Sequence, residues 1–290
     1  MSHPQFINRL VAPIVFSAVF CPYIGNGRAS VAATFTYKID PGSIPAGEEI
    51  QPKSLLTTIN ERLGDAGRAK LLDNGHVQVE VDGDYDQAEL ESIKLRISAV
   101  GAFEFRITAD PERPEDQAIV EQARLLSPEK KEVVIDDDNA AQWVTVSEMF
   151  GPIDAQVKRF VTREIGEEHE LLVLVDPHDV SGKYFTEASK GAEQDGRPTL
   201  ELAFNDKGAS LLRSLTSKNL PDRAAGTRRN LAFILDRHLL SAPSIQTTIS
   251  DSAVISGGMV EHEVDALVAV IDAGVLPYRL REVSGDSAVK

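Results

Sequence analysis

Asp82-Gly-Asp-Tyr-Asp86 sets carboxylates at the first, third and fifth positions of a calcium-binding loop. Such a loop needs glycine at its sixth position and a bidentate acid at its twelfth, where Gln87 and Ile93 stand. The segment therefore reads as a turn in which Asp84 or Asp86 caps a following helix. His262-Glu263 opens like the helix of a zinc protease, but Ala266 occupies the place of the second histidine and leaves a metal one ligand short. His169, His178 and His238 are isolated in sequence. There is no Gly-x-Ser-x-Gly elbow, no Gly-x-Gly-x-x-Gly and no Gly-x-x-x-x-Gly-Lys, so acyl transfer and nucleotide chemistry have no local signature. The motifs name no catalytic, cofactor-binding or metal-ligating residue and no cofactor, and they point away from an enzyme.

The surroundings of these residues narrow the class further. The 290-residue chain carries a formal charge of −15, a sign that repels phosphate backbones and anionic lipid, so nucleic acid is not an expected partner. Leu10 to Gly27 contains no charged residue or histidine, follows Arg9, and precedes the small residues Ser30 and Ala32. That order is the one of a secretory signal cleaved after Ala32. Left uncut, the segment would serve as a single membrane anchor, and it is the sole stretch expected to contact a membrane. Either way the rest is exported to the periplasmic, extracytoplasmic side. Cys21, the one cysteine, lies in this segment, so the mature chain is expected to hold no disulfide.

The elements beyond it alternate between strand and helix signals. Thr34–Ile39 alternates like a strand, Leu55, Leu56, Ile59 and Leu63 recur at helical spacing, and Asn74-Gly75 marks a hairpin before Val77, Val79 and Val81. Leu90, Ile93, Ile97 and Val100 make a second helical stripe ended by Gly101, and Phe103–Ile107 alternates again. Strand, helix, strand, strand, helix, strand predicts a ferredoxin-like module over 33–109. Residues 110–168, with a helix from Glu115 to Leu126 and the acidic run Asp136 to Asp138, read as a bridging segment whose acids form a solvated loop. A second mixed α+β module is expected over 169–284. It contains an apolar run from Leu171 to Val175, the Asp195-Gly196 turn and a helix capped by Asn205. Leu231–Leu235 reads as a strand buried on both faces, and Val264, Leu267, Val268 and Ile271 stripe a last helix over 260–273. Residues 285–290 read as a polar tail, and the fold class is α+β.

Val173-Leu-Val-Asp-Pro177, Val180-Ser-Gly182, Asp195-Gly-Arg-Pro198, Phe204-Asn205 with Gly208 and Leu231-Ala-Phe-Ile-Leu-Asp236 resemble the head of the first large extracytoplasmic domain of SecD and SecDF proteins. Leu240-Ser-Ala-Pro243, Ile255-Ser-Gly257 and Ala273-Gly-Val-Leu-Pro277 extend the likeness, while Val77–Val81 and Phe103–Phe105 resemble the base of that domain. One departure is Gly257-Gly-Met-Val260, where the family pattern would place a capping asparagine or threonine before the last helix. The resemblance implies an auxiliary subunit of protein export whose base and head change orientation and engage translocating polypeptide. Its partners would be that polypeptide or translocon subunits. In the family, proton movement through transmembrane helices supplies the energy; this sequence holds no such bundle, so no motor function is expected of it alone. Two other readings stand beside this one. One is an envelope enzyme or metal-binding protein on a reused scaffold; the other is a relic or split fragment of a longer SecD-type translocase.

Overall fold

In the computed structural model the described residues are 31–289, apart from 48, 148–159, 179, 223–226 and 257. The expected signal or anchor over 10–27 lies outside them, and the expected cleavage point after Ala32 falls within the first strand. In chain order the elements begin β1 (Val31–Ile39), α1 (Pro52–Leu63), β2 (Gly67–Leu71), β3 (Val77–Val81), α2 (Gln87–Ser98), β4 (Phe103–Thr108) and α3 (Pro114–Arg124). Five strands follow: β5 (Glu132–Ile135), β6 (Asp138–Val146), β7 (Thr162–Ile165), β8 (Glu168–Leu174) and β9 (Val180–Ser181). Next come β10 (Phe185–Ala192), β11 (Pro198–Phe204), α4 (Asp206–Lys218), β12 (Leu231–Leu235) and β13 (His238–Ser241). The last three are β14 (Ser252–Ile255), α5 (Glu261–Asp272) and β15 (Leu280–Val289). The mixture is α+β, as the sequence predicts.

The first sheet runs in the order β15-β1-β3-β2. Alternation puts Phe35, Tyr37, Val77, Val79 and Val81 on one face, where Leu55, Ile59 and Leu63 of α1 and Leu90, Ile93 and Ile97 of α2 cover them. Two expectations change here. The strand at Phe103–Thr108, read as the fourth member of this module, lies in another sheet. The place beside β1 goes to β15, which takes in residues 285–289, read from sequence as a polar tail, and runs in register from Ile39↔Leu280 to Val31↔Val289 with one bulge. Sequence spacing favours the nearest alternating segment; the hydrophobic face of β4 is claimed by a different core.

That core surrounds a closed ring of five strands. β4 pairs with β8, β8 with β6, β6 with β13, β13 with β12, and β12 with β4. Val144, Leu171, Val173, Ala232, Ile234 and Leu239 fill its inside. The alternate residues of β12, Leu231, Phe233 and Leu235, point outward into the largest cluster. Leu231–Leu235 is therefore buried on both faces, as expected, but by closure of an antiparallel-rich barrel and not by a parallel sheet. The segment 110–168, expected as a bridge, contributes β5, β6 and β7 to this assembly. The acidic run is solvated, as expected: Asp136 and Asp137 are exposed and form the two-residue turn between β5 and β6, at φ 51° and 69°.

Outside the barrel, a three-stranded sheet in the order β10-β11-β14, with α4 and α5, closes the large core. Its centre is aromatic: Phe103, Phe105, Phe185, Phe204 and Phe233 stack or meet edge to face with centroids 5.1 to 6.3 Å apart. Two buried ion groups pin the chain around the barrel. Arg229 pairs through both terminal nitrogens with Asp116 of α3, and Glu170 of β8 receives Lys131 and, at 2.6 Å, Arg163 Nε. Replacing Phe233, which is fully buried, by alanine should lower unfolding free energy by about 3–5 kcal/mol. Urea denaturation measures it, and a loss below about 1 kcal/mol would show that this aromatic cluster is not the centre of the core.

Candidate functional site: the double crossing between the two cores

The chain passes from the first sheet to the barrel at Ala99–Ala102 and returns at Gly274–Leu276. Both passages begin at a helix C-terminus, where carbonyls lack intrahelical donors. Arg62 of α1 answers them. It is 1% exposed and donates from Nη1 to the carbonyls of Arg96 at 3.2 Å and Ala99 at 2.5 Å. Its Nη2 donates to Val100 O at 3.2 Å and to Gly274 O at 2.5 Å. One cation thus joins the negative ends of α2 and α5. Burial pushes the Arg62 guanidinium down to about 10, while the Asp236 carboxylate opposes that shift.

Asp236 holds the outgoing strand from the barrel side. It sits at φ 51° in the β12–β13 turn, and its carboxylate accepts from Ala102 N at 2.8 Å and Gly101 N at 3.1 Å. Its own N–H donates to Ala102 O at 2.9 Å. The two passages also bond each other directly, Leu276 N to Val100 O at 2.8 Å. Gly101 is needed here: at φ 95° a Cβ would lie 3.0 Å from Arg62 Nη2. Beside this point α5 packs on α2, where His262 Nδ1 and Ser92 Oγ are 2.8 Å apart.

The structure distributes the motif residues as follows. Asp86 caps α2, accepting from Glu89 N at 2.9 Å while Glu89 returns the bond to Asp86 N. His262 faces Ser92. Asn205 caps α4 through Gly208 N at 2.9 Å, and α5, preceded by Val260 with no side-chain acceptor, has only the returning half of a cap, Val260 N to Glu263 at 2.8 Å. The expected stripe of α5 shifts: Val264, Leu267, Ala266 and Val270 are buried and Val268 and Ile271 half-buried, because α2 covers one flank of the helix and the sheet another. Among the described residues no group of three His, Cys, Asp or Glu side chains is placed to hold a metal. An open groove of about 610 Å³ along α1 is lined by Lys53, Leu56, Thr57, Asn60 and Glu61.

Sequence reasoning missed Arg62, although the signal is present: it falls three residues after Ile59 and seven after Leu55, an arginine on the apolar face of its helix. Arg62→Met removes the donors and should cost about 3 kcal/mol or more, and should split one cooperative urea transition into two, one per core. Arg62→Lys, which keeps the charge without the planar fork, should restore less than half of the loss. A single, unshifted transition for both variants would contradict this role.

Residues 158–278 match the family model described as SecDF, P1 head subdomain. The protein translocase subunit SecD of Rickettsia typhi is 28% identical over 131 residues, covering 45% of this chain and 24% of that protein. SecD of Syntrophobacter fumaroxidans is 29% identical over 206 residues, 65% of this chain and 36% of its own length. The chain thus spans roughly a quarter to a third of these relatives. A crystal structure of SecDF in its super-membrane-facing form superposes with a TM-score of 0.51 at 19% identity, covering 91% of this chain and 32% of that one, which is a likeness of fold. Residues 158–278 are thus similar to the SecDF P1 head subdomain, the chain is similar to SecD translocase subunits over part of its length, and no helix among its described residues is long and apolar enough to cross a membrane.

Proposed function

We propose that this protein is an exported, non-enzymatic SecD-like domain that engages translocating polypeptide outside the membrane, in company with translocon subunits. The observation that carries the reading is the head match over residues 158–278, a range that takes in β7 to β14, α4 and α5. The translocase relatives support a role in protein export. The buried charges described above are engaged in holding strands and helix ends, which supports a structural assignment for them over a catalytic one. In this reading the order β15-β1-β3-β2 with α1 and α2 is a ferredoxin-like base whose fourth strand comes from the end of the chain, so the head is an insertion between α2 and β15. The segment 10–27 directs export and, if retained, anchors the base to the membrane.

Unfolded chains commonly bind by adding a strand to a sheet edge, a mode that tolerates any sequence because backbone groups make the bonds. In-cell photo-crosslinking from Val254 and Val260, both exposed on the head, together with fractionation, tests the proposal. Labelled export substrates or translocon subunits in the envelope fraction are the expected result. A protein that labels neither and turns over a small molecule would overturn it.

A further inference from the structure

The sheet edges of the molecule are not equivalent. On β2 the outward N–H and C=O of Ala69 are already taken: Ala69 N donates to Asn60 Oδ1 at 2.8 Å and Asn60 Nδ2 reaches Ala69 O at 3.4 Å. A side chain thus occupies the middle of that edge and blocks pairing. At β14 the edge is four residues long, and Ser241 Oγ lies 3.5 Å from Ser256 O just past its end. β10 differs. It runs for eight residues at the end of its sheet and, among the described strands, pairs only with β11. The bond from Glu193 N to Arg197 O fixes the alternation, so Gly191 and Ser189 face β11 while the backbone groups of Ala188, Lys190 and Ala192 face away.

Lysine is a common guard on such an edge. Here Lys190 is turned onto α5, where Glu261 and Asp265 hold its Nζ at 2.7 and 2.9 Å. Charge beside the edge is net acidic: Glu187, Glu261, Asp265 and Asp272 stand against Lys190 and, next to Asp265, Arg96. Asp272 carries the mark of this neighbourhood, since burial and the nearby Glu187 both push its carboxyl up. On the other face Glu201 lies over Gly191, where a Cβ would come within 2.1 Å of its Oε1. Gly191 thus lets a fifth carboxylate rest across the edge strand.

We propose that the outer edge of β10 is a docking edge for an extended polypeptide segment carrying lysine or arginine, which adds as a fourth strand to the sheet of β10, β11 and β14. The outward backbone groups of the exposed Lys190 and Ala192 supply the donors and acceptors, Ala188 being buried in the core, and the flanking acids select the charge. This deepens the polypeptide-engagement reading above and rests on it.

The test uses the full-length protein and two fluorescein-labelled ten-residue peptides, one alternating valine with lysine and one alternating valine with glutamate, followed by anisotropy at low salt. The lysine peptide should bind more tightly than the glutamate peptide, and hydrogen exchange should slow at the exposed amides of Lys190 and Ala192. Ala192→Pro removes an outward N–H that β11 does not use, and should weaken binding by ~5-fold or more. Glu187→Lys should narrow the difference between the two peptides. Binding with no slowing at these amides and no effect of Ala192→Pro would overturn the β10 assignment while leaving polypeptide engagement standing. Equal binding of both peptides would overturn the charge selection, and failure of every extended peptide to bind would bring down the engagement reading itself.

Discussion

A chain that leaves one hydrophobic core for another and later comes back must cross the gap twice, and both crossings here start where a helix runs out. The last carbonyls of α2 and the carbonyl just past α5 carry the negative ends of two helices toward the buried Arg62. Arg62 is a side chain that can meet them together, because a guanidinium spreads its donors over a planar fork and stays charged when its surroundings are dry. Asp236 completes the arrangement from the barrel by accepting from the outgoing strand. The relation of the two cores is thus written into a handful of polar bonds in an apolar setting, where each is hard to replace with water.

Around that junction the remaining architecture follows from burial on two faces. β12 and the second half of β8 present one set of side chains to the barrel interior and the other to neighbouring cores, which is why Leu231–Leu235 and Leu171–Leu174 run apolar without alternation. Two buried acids are pinned by partners: Glu170 of β8 between Lys131 and Arg163, and Asp116 of α3 against Arg229. A lone charge in either place would be costly, so the pairs keep strands β5 and β7 and helix α3 in position as well as satisfying themselves. Arg163 also lies 4.5 Å over the ring of Trp143, tying the same strand to the satellite core under α3.

The surface has a different logic. With a net charge of −15, acids flank the sheet edge at β10, and what sets that edge apart from β2 is also the geometry of its backbone. Asn60 closes β2 from within the same unit, whereas β10 keeps its outward backbone free because its lysine is drawn onto α5. The last helix therefore does three things: it packs the large core, hands its C-terminal carbonyl to Arg62, and neutralises the residue that would otherwise guard β10.

Much of this was legible from residue order. Local signals found the helices, since Leu55, Ile59 and Leu63 or Leu90, Ile93 and Ile97 recur with the period of a turn, and short-range chemistry found the Asn74-Gly75 hairpin and the caps at Asp86 and Asn205. The failed calcium loop resolved into such a cap because its side chains bond their own backbone, an interaction of neighbours in sequence. What the residues could not state was pairing over long separations. That β15 and not β4 stands beside β1, that the five strands close on themselves, and that Arg62 meets Gly274 across 212 positions depend on which apolar faces are buried together. The sequence by itself determined the helices and the caps at their starts, because propensity, periodicity and capping act within a few residues; tertiary structure alone decided the partners, because strand pairing and the satisfaction of a buried cation are settled by the whole packed arrangement.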